Sequence, residues 1–158
     1  MVRLKQTLII ALFAFNLSAQ AITFEEFIAS CEAICKVEPI KLSSDTVPQL
    51  KEEKVDNLVI FKEENISIET KQKVIDAVSS ITKTEEMLVV KHNEDDAAVQ
   101  VFILPQEENV EILVTIFDDN DGVIVYAEGS IELLQQDNLV NIGGKDLIKE
   151  ALKKGNNN

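Results

Sequence analysis

Apolar residues recur at helical spacing in two segments of the first half of the chain. The first segment follows Thr23 and Glu26, which form a capping box, and its period predicts a helix over residues 24–36. Residues 37–54 then predict an irregular connection, and residues 55–61 a short strand. The second helix is predicted to begin near Ser67, a typical N-cap residue. Its apolar side comprises Val74, Ile75, Val78 and Ile81.

The pattern changes period after residue 85, where four runs rich in β-branched and aromatic residues follow one another. These runs cover residues 86–92, 98–104, 110–117 and 123–130. The connections between them are too short for a parallel crossover, so neighbouring runs must be antiparallel. The sequence therefore predicts an α+β fold, in which a four-stranded antiparallel meander and one further strand have helices packed on one face.

An export signal is the best interpretation of residues 1–21. Arg3 and Lys5 precede an apolar stretch that is too short to span a bilayer, and Ala19 and Ala21 supply the small residues of a cleavage site. Cys31 ends a short sequence similar to the lipidation box of lipoproteins, but charged residues separate it from the apolar stretch, which disfavours lipidation. We expect a secreted or periplasmic protein that has no transmembrane segment after cleavage.

The remaining residues, 22–158, predict a single α+β domain, because no repeat and no linker-like tract divides them. A last helix is predicted to begin around residue 144, and the Asn-rich tail is expected to fray from about residue 155. The apolar side of this last helix comprises Leu147, Ile148, Ala151 and Leu152.

Charge narrows the range of partners. The 158 residues carry a net charge of −13, and because residues 1–21 contain two basic residues and no acidic one, the rest carries −15. Arg3 is the only arginine. Since nucleic-acid affinity comes mainly from Lys and Arg, we expect no nucleic-acid binding, and phosphoryl transfer is disfavoured as well. With 46% apolar residues the chain can still build a core.

No set of catalytic residues stands out. His92 is the only histidine, and no Gly-x-Ser-x-Gly motif occurs. We therefore expect that the protein is not an enzyme and needs no cofactor.

The two cysteines, Cys31 and Cys35, are spaced to share one side of the first helix. An oxidising compartment would favour a disulfide between them, and the helical position is compatible with two buried thiols. The sequence leaves both states open.

One face of the meander is the candidate partner surface. Val110, Ile112, Val114 and Ile116 are expected to lie under the helices. The opposite face would be half apolar, with large residues at Phe102, Leu113, Phe117, Ile124 and Tyr126. Such a face suggests a binding surface for a protein partner, a second copy of the chain or a small apolar ligand. In the alternative interpretation, its aromatic residues only pack against one another and against residues 37–54.

Acidic residues gather in two turns that are expected at the same end of the meander. These residues are Asp95 and Asp96 in one turn, and Asp118, Asp119 and Asp121 in the other. Clustered carboxylates suit Ca²⁺, although residues 118–122 do not match the register of an EF-hand loop. Asp also favours turns for its local hydrogen bonds, so a purely structural role stays open.

Short elements between residues 55 and 142 follow a distinctive order. Val55–Phe61 is followed by Glu85-Glu-Met87, then by three strands, and then by Gly129-Ser-Ile-Glu-Leu133. In this order the elements resemble the bacterial envelope proteins of domain-of-unknown-function family 4252. The resemblance implies an exported protein. It assigns no activity and no catalytic residue.

We expect an exported cell-envelope protein that acts as a non-enzymatic interaction or structural module, with an unidentified envelope protein bound at the outer sheet face. The alternative is a module that binds Ca²⁺ or a small ligand in its acidic turns.

Overall fold

The structure, a computed structural model, describes residues 21–134 except Asp95. Its helices are α1 (Phe24–Ile34), α2 (Pro48–Glu52) and α3 (Ile68–Ser79), and a 3-10 turn spans Ile131–Leu134. Its strands are β1 (Ile40–Ser43), β2 (Val55–Glu63), β3 (Leu88–Glu94), β4 (Ala97–Pro105), β5 (Asn109–Phe117) and β6 (Gly122–Ser130). The strands form one antiparallel sheet in the order β1-β2-β6-β5-β4-β3.

The predicted α+β class is confirmed, and β3 to β6 pair in sequence order as the predicted meander requires. Among the described residues, the sheet has six strands rather than the predicted four plus one. The additional strand, β1, lies in the segment that was predicted to be irregular, and it pairs with β2. Four residues are too few for an alternating pattern to be recognised, and strand formation there depends on the pairing partner.

Both long helices begin where the sequence predicts. Thr23 Oγ1 accepts a hydrogen bond from the Glu26 amide at 3.1 Å, and Glu26 Oε2 accepts one from the Thr23 amide at 2.8 Å. Ser67 Oγ accepts a hydrogen bond from the Thr70 amide at 3.1 Å. These bonds satisfy amides that have no partner within the helix, so local sequence sets both starting points.

The two long helices cover the sheet face that the sequence predicts to be exposed, and we call this the helix face. Phe102 and Leu113 are fully buried, and Ile124 and Phe117 are 2% and 6% exposed. They pack in one cluster with residues of α1 and α3. The prediction that these four residues form a partner surface is therefore wrong, because side chains under the helices cannot meet a partner.

The opposite side of the sheet, the second face, has a core of its own. Val110, Ile112 and Val114, which were predicted to lie under the helices, pack there with Leu50 of α2 and Leu133 of the 3-10 turn. Alternation identifies the residues that share a face, but both faces of β5 are apolar, so it cannot show which face the helices cover.

The predicted signal peptide, except Ala21, and the last predicted helix lie outside the described residues. None of the helices that the structure describes is long and apolar enough to cross a membrane.

Candidate functional site

An open cleft of about 620 Å³ lies on the helix face beside the first turn of α1. Its floor comes from three neighbouring strands: Asn57 from β2, Tyr126 and Glu128 from β6, and Glu111 from β5. Glu25 of α1 lines the cleft as well. The cleft therefore brings three carboxylates and a phenol together at the edge of the helix-covered core.

Tyr126 stands at the boundary between the core and the cleft. Its ring packs edge to face against Phe24, with the ring centroids 6.4 Å apart. Its hydroxyl donates a hydrogen bond of 2.7 Å to Glu111 Oε1. Burial raises the pKa of Tyr126, and the hydrogen bond to Glu111 and the negative charges of Glu111, Glu128 and Glu25 raise it further. The phenol is thus held neutral, as a hydrogen-bond donor to the carboxylate.

Two of the carboxylates, Glu111 and Glu128, are direct cross-strand neighbours in the register of β5 and β6. Like charges in directly opposite positions of an antiparallel pair destabilise the sheet. Glu128 accepts a hydrogen bond from Asn57 Nδ2 at 3.4 Å, and Glu111 accepts a second one, from Gln106 Nε2, at 2.8 Å. Neutral donors therefore relieve part of the repulsion and leave the charge itself in place.

No lysine of the described residues forms an ion pair with the carboxylates of the cleft. Lys41 lines the cleft, but its Nζ lies 2.6 Å from Glu32 Oε1, and that pair neutralises its charge. The cleft therefore carries excess negative charge and can attract a positively charged group.

Only Tyr126, of the five residues predicted to form the partner surface, lines this cleft. Sequence reasoning missed Glu111 and Glu128 as site residues. A signal was present, because the predicted strands 110–117 and 123–130 place these two acidic residues on one face of neighbouring strands. The prediction instead rested on the larger apolar residues of the same face.

The turn between β5 and β6 uses its carboxylates as hydrogen-bond acceptors. Asp118 Oδ1 accepts from the amides of Asn120 and Asp121 at 2.7 and 2.6 Å. Asp121 Oδ1 accepts from the amide of Asn65 at 3.0 Å, which ties the turn to the connection before α3. These two residues therefore have a structural role in closing the turn.

The two acidic turns lie at the same end of the sheet, since Ala98 pairs with Phe117. Asp96 and Asp119 are exposed, and Asp95 lies outside the described residues. Within the described residues, no group of three or more His, Cys, Asp or Glu side chains is arranged to hold a metal ion. The calcium site stays a prediction that no described contact supports.

The carboxylate of Asp118 should titrate below the usual range for aspartate. The amides of Asp121 and Asn120 hold the pKa of this carboxyl below its ordinary value, because they donate to its charged form. The resulting stabilisation is present above the unfolded-state pKa of about 3.9 and is lost as the pH falls through the lower folded-state pKa. A side-chain carboxyl titration by NMR measures this directly. In Asp118→Asn we expect a shallower fall of stability on acidification, and an unchanged acid profile would contradict this role.

Cys31 and Cys35 are free thiols in the structure, and the choice between a disulfide and two buried thiols stays a prediction. Cys31 is fully buried, and Cys35 is half-buried at the end of α1. Hydrogen bonding with the Cys35 side chain and burial raise the pKa of Cys31, whereas hydrogen bonding with the Cys31 side chain lowers the pKa of Cys35.

A second, smaller cleft of about 230 Å³ lies on the helix face between α3 and the strands β3 to β5. Ile75, which was predicted to lie on the apolar side of the second helix, is 37% exposed and lines this cleft. Lys71 Nζ closes one end, donating to the Asp118 carbonyl at 3.0 Å and lying 6.0 Å from the centroid of the Phe117 ring. Lys91 lines this cleft as well, and the residues that line it include no carboxylate. Without an opposed pair of like charges, this cleft is a weaker candidate than the acidic one.

Comparison with family models, with curated proteins and with solved structures found no match for this chain. The resemblance to domain-of-unknown-function family 4252 therefore stays a prediction from the sequence.

Proposed function

We propose that this protein is a non-enzymatic interaction module of the bacterial cell envelope. It binds a positively charged group, a Lys or Arg side chain of an envelope protein, in the acidic cleft around Tyr126. The single observation that carries the proposal is the cross-strand pair of Glu111 and Glu128, which no described lysine neutralises.

The free protein retains a repulsion between two carboxylates, which a bound cation would remove. Two directly opposed carboxylates cost stability unless something compensates them. An ammonium or guanidinium group placed between them would make charge-assisted hydrogen bonds to both, while Glu25 adds a third negative charge nearby. Binding sites commonly retain such local conflicts, which are relieved when the ligand arrives.

An organic cation fits the cleft better than a metal ion does. The described carboxylates of the cleft are not grouped as metal ligands, and two of them already accept hydrogen bonds from Tyr126 and Asn57. The space of about 620 Å³ is large enough for a side chain with its flanking backbone. The residues that line the cleft include no histidine or cysteine, which favours binding over catalysis.

The proposal predicts that trilysine binds to the full chain and that the variant Glu128→Gln weakens this binding about tenfold, a loss of about 1.4 kcal/mol. Titration calorimetry at low salt measures the affinity, which should fall as salt is added because exposed charges are screened. The same variant should unfold at an equal or higher temperature than the parent chain, because it removes one member of a repelling pair.

The matched control is Glu86→Gln, which removes the same charge from an exposed turn before the opposite edge strand. It should bind trilysine like the parent chain. Equal affinities in the parent, Glu128→Gln and Glu86→Gln chains would refute the cleft, since only the net charge would then matter. Heat released with Ca²⁺ and none with trilysine would favour the acidic turns instead.

A further inference from the structure

The smaller cleft, between α3 and the strands β3 to β5, collects positive charge in an acidic protein. Lys71 of α3 and Lys91 of β3 both line it. Neither of them forms an ion pair with a carboxylate of the described residues. The described lysines that do form such pairs are Lys41, Lys54, Lys62 and Lys73. In a chain whose net charge is −13, the cleft is therefore a local region of positive charge.

The contacts of Lys71 leave its charge in place. Its Nζ donates to the Asp118 carbonyl at 3.0 Å and lies 6.0 Å from the centroid of the Phe117 ring, and both of these groups are uncharged. The Asp118 carboxylate accepts from the amides of Asn120 and Asp121 through its Oδ1 atom. Because an ammonium group has three donors, Lys71 can still donate to an anion in the cleft.

The floor of the cleft consists of side chains from three neighbouring strands. The register of β3, β4 and β5 places them in two rows, with Lys91, Gln100 and Thr115 in one row and Asn93, Ala98 and Phe117 in the next. All three side chains of the first row carry hydrogen-bond donors, which suit a carboxylate. In the second row Ala98 contributes only a methyl group, so it leaves space between its larger neighbours.

The side of the cleft that α3 provides is apolar beyond Lys71. Ile75 and Val78 follow Lys71 at a spacing of four and seven residues, which places all three on one side of the helix. Ile75 is 37% exposed. Together with the Phe117 ring, these two side chains can cover the apolar part of a ligand whose charged end reaches the lysines.

The size of the cleft limits the ligand to a small molecule. Its volume of about 230 Å³ is below the range of about 300–1,000 Å³ that is usual for drug-sized ligands. At about 30 Å³ for a group the size of water, it has room for about eight non-hydrogen atoms. Inorganic phosphate would leave the apolar side unmatched, whereas a short-chain carboxylate such as hexanoate has the right size, one charged end and one apolar end.

We infer that this cleft binds a small organic anion with an apolar tail, of the class of short-chain carboxylates. The carboxylate accepts hydrogen bonds from Lys91 and Lys71, and the tail packs against Ile75, Val78 and Phe117. The inference is independent of the proposed function, because the two clefts have no lining residue in common.

The direct test is a titration of the ¹⁵N-labelled full chain with sodium hexanoate, followed by NMR. We expect saturable shifts of the amides of Ala98, Gln100 and Thr115, with a Kd of about 1 mM because so small a ligand makes few contacts. The probes 1-hexanol, which lacks the charge, and inorganic phosphate, which lacks the tail, should each bind at least about tenfold more weakly.

Three outcomes of this titration would overturn the inference. The first is the absence of saturable shifts up to about 20 mM hexanoate, well above the expected Kd. The second is a set of shifts confined to residues outside the cleft. The third is equal affinity for hexanoate and for either 1-hexanol or phosphate, since the charge or the apolar side would then play no part.

A matched pair of full-chain variants tests the role of the local charge. Lys91→Met keeps an apolar stem, removes the charge and should weaken hexanoate binding about fivefold. Lys83→Met removes the same charge at an exposed position outside the cleft and should leave the Kd unchanged. Both side chains are exposed, so both variants should fold like the parent chain. Equal affinities in the three chains, or equal losses in the two variants, would contradict a site at Lys91.

A third variant, Ala98→Leu, tests the position of the ligand. The larger side chain fills the space in the floor of the cleft, so the saturable shifts should disappear. If Ala98→Leu binds hexanoate with the affinity of the parent chain, the proposed position of the carboxylate and its tail is wrong.

Discussion

Leu113→Ala is expected to lower the free energy of unfolding by about 2–5 kcal/mol, because it removes a side chain that is fully buried under the helices. Leu113 meets the core formed with α1 and α3, so the surrounding side chains can close the resulting cavity only in part. Equilibrium unfolding in urea measures the loss, with an unchanged slope as the sign that the unfolded state is the same.

The matched control is Leu88→Ala, the same chemical change at a side chain that is 55% exposed on the edge strand β3. Its cost should stay within about 0.5 kcal/mol. Similar small losses for both variants would contradict the fold, because they would mean that Leu113 lies on an open face. This pair of variants therefore tests whether the helix face is covered.

Gly129→Ala is expected to destabilise the protein by about 2–3 kcal/mol, an overpacking cost that exceeds the small gain from stiffening the unfolded chain. A Cβ atom at position 129 would overlap the backbone carbonyl oxygen of Lys54 and would lie 3.0 Å from the Cα atom of Val55. The Lys54 carbonyl accepts a hydrogen bond from the Ser130 amide, so it cannot withdraw without breaking that bond.

Gly122→Ala is the control for this prediction. A Cβ atom at position 122 would lie 3.0 Å from Ile66 Cδ1 and 3.0 Å from Phe117 Cε1, which belong to side chains rather than backbone. Because side-chain ends can turn away, we expect a smaller loss of about 1 kcal/mol. If Gly129→Ala proved no worse than Gly122→Ala in thermal and urea unfolding, the close approach of β6 to Lys54 would be refuted.

The role of Gly129 gives a physical meaning to a motif that the sequence shows only as a pattern. In Gly129-Ser-Ile-Glu-Leu133, the glycine allows the backbone before β2 to approach β6, and Leu133 packs in the core of the second face. The glycine therefore acts through close packing, since its backbone does not adopt a positive φ. The sequence shows the glycine, but it does not show which segment of backbone packs against it.

Helix starts and strand pairing could be predicted where the interacting residues are close together in the sequence. The capping box at Thr23 and the N-cap at Ser67 fix helix starts through hydrogen bonds within four residues, and the short turns of the meander allow only antiparallel neighbours. β1 could not be predicted in this way. It forms because β2 presents a free edge, which is a contact between segments that are separate in the sequence.

For the acidic cleft as well, the sequence predicted which residues share a face of the sheet but did not predict which of them line the cleft. Tyr126 was included in the predicted surface because it shares a face with Leu113. Its actual position, half under Phe24 and half in the cleft, depends on where α1 crosses the sheet. The alternation of side chains along the strands therefore grouped the residues of one face correctly. Most of those residues were predicted to be exposed, and they are buried under the helices.

Spacing along the chain was enough to predict the α+β class, the antiparallel meander, the helix starts and the sets of residues that share a face. Contacts between distant segments set three further features: the face that the long helices cover, the pairing of β1 with β2, and the meeting of Glu25, Glu111 and Glu128 in one cleft. Hydrophobic burial has no direction. With apolar residues on both faces of β5, either face can take the helices, and the choice rests on packing between distant segments.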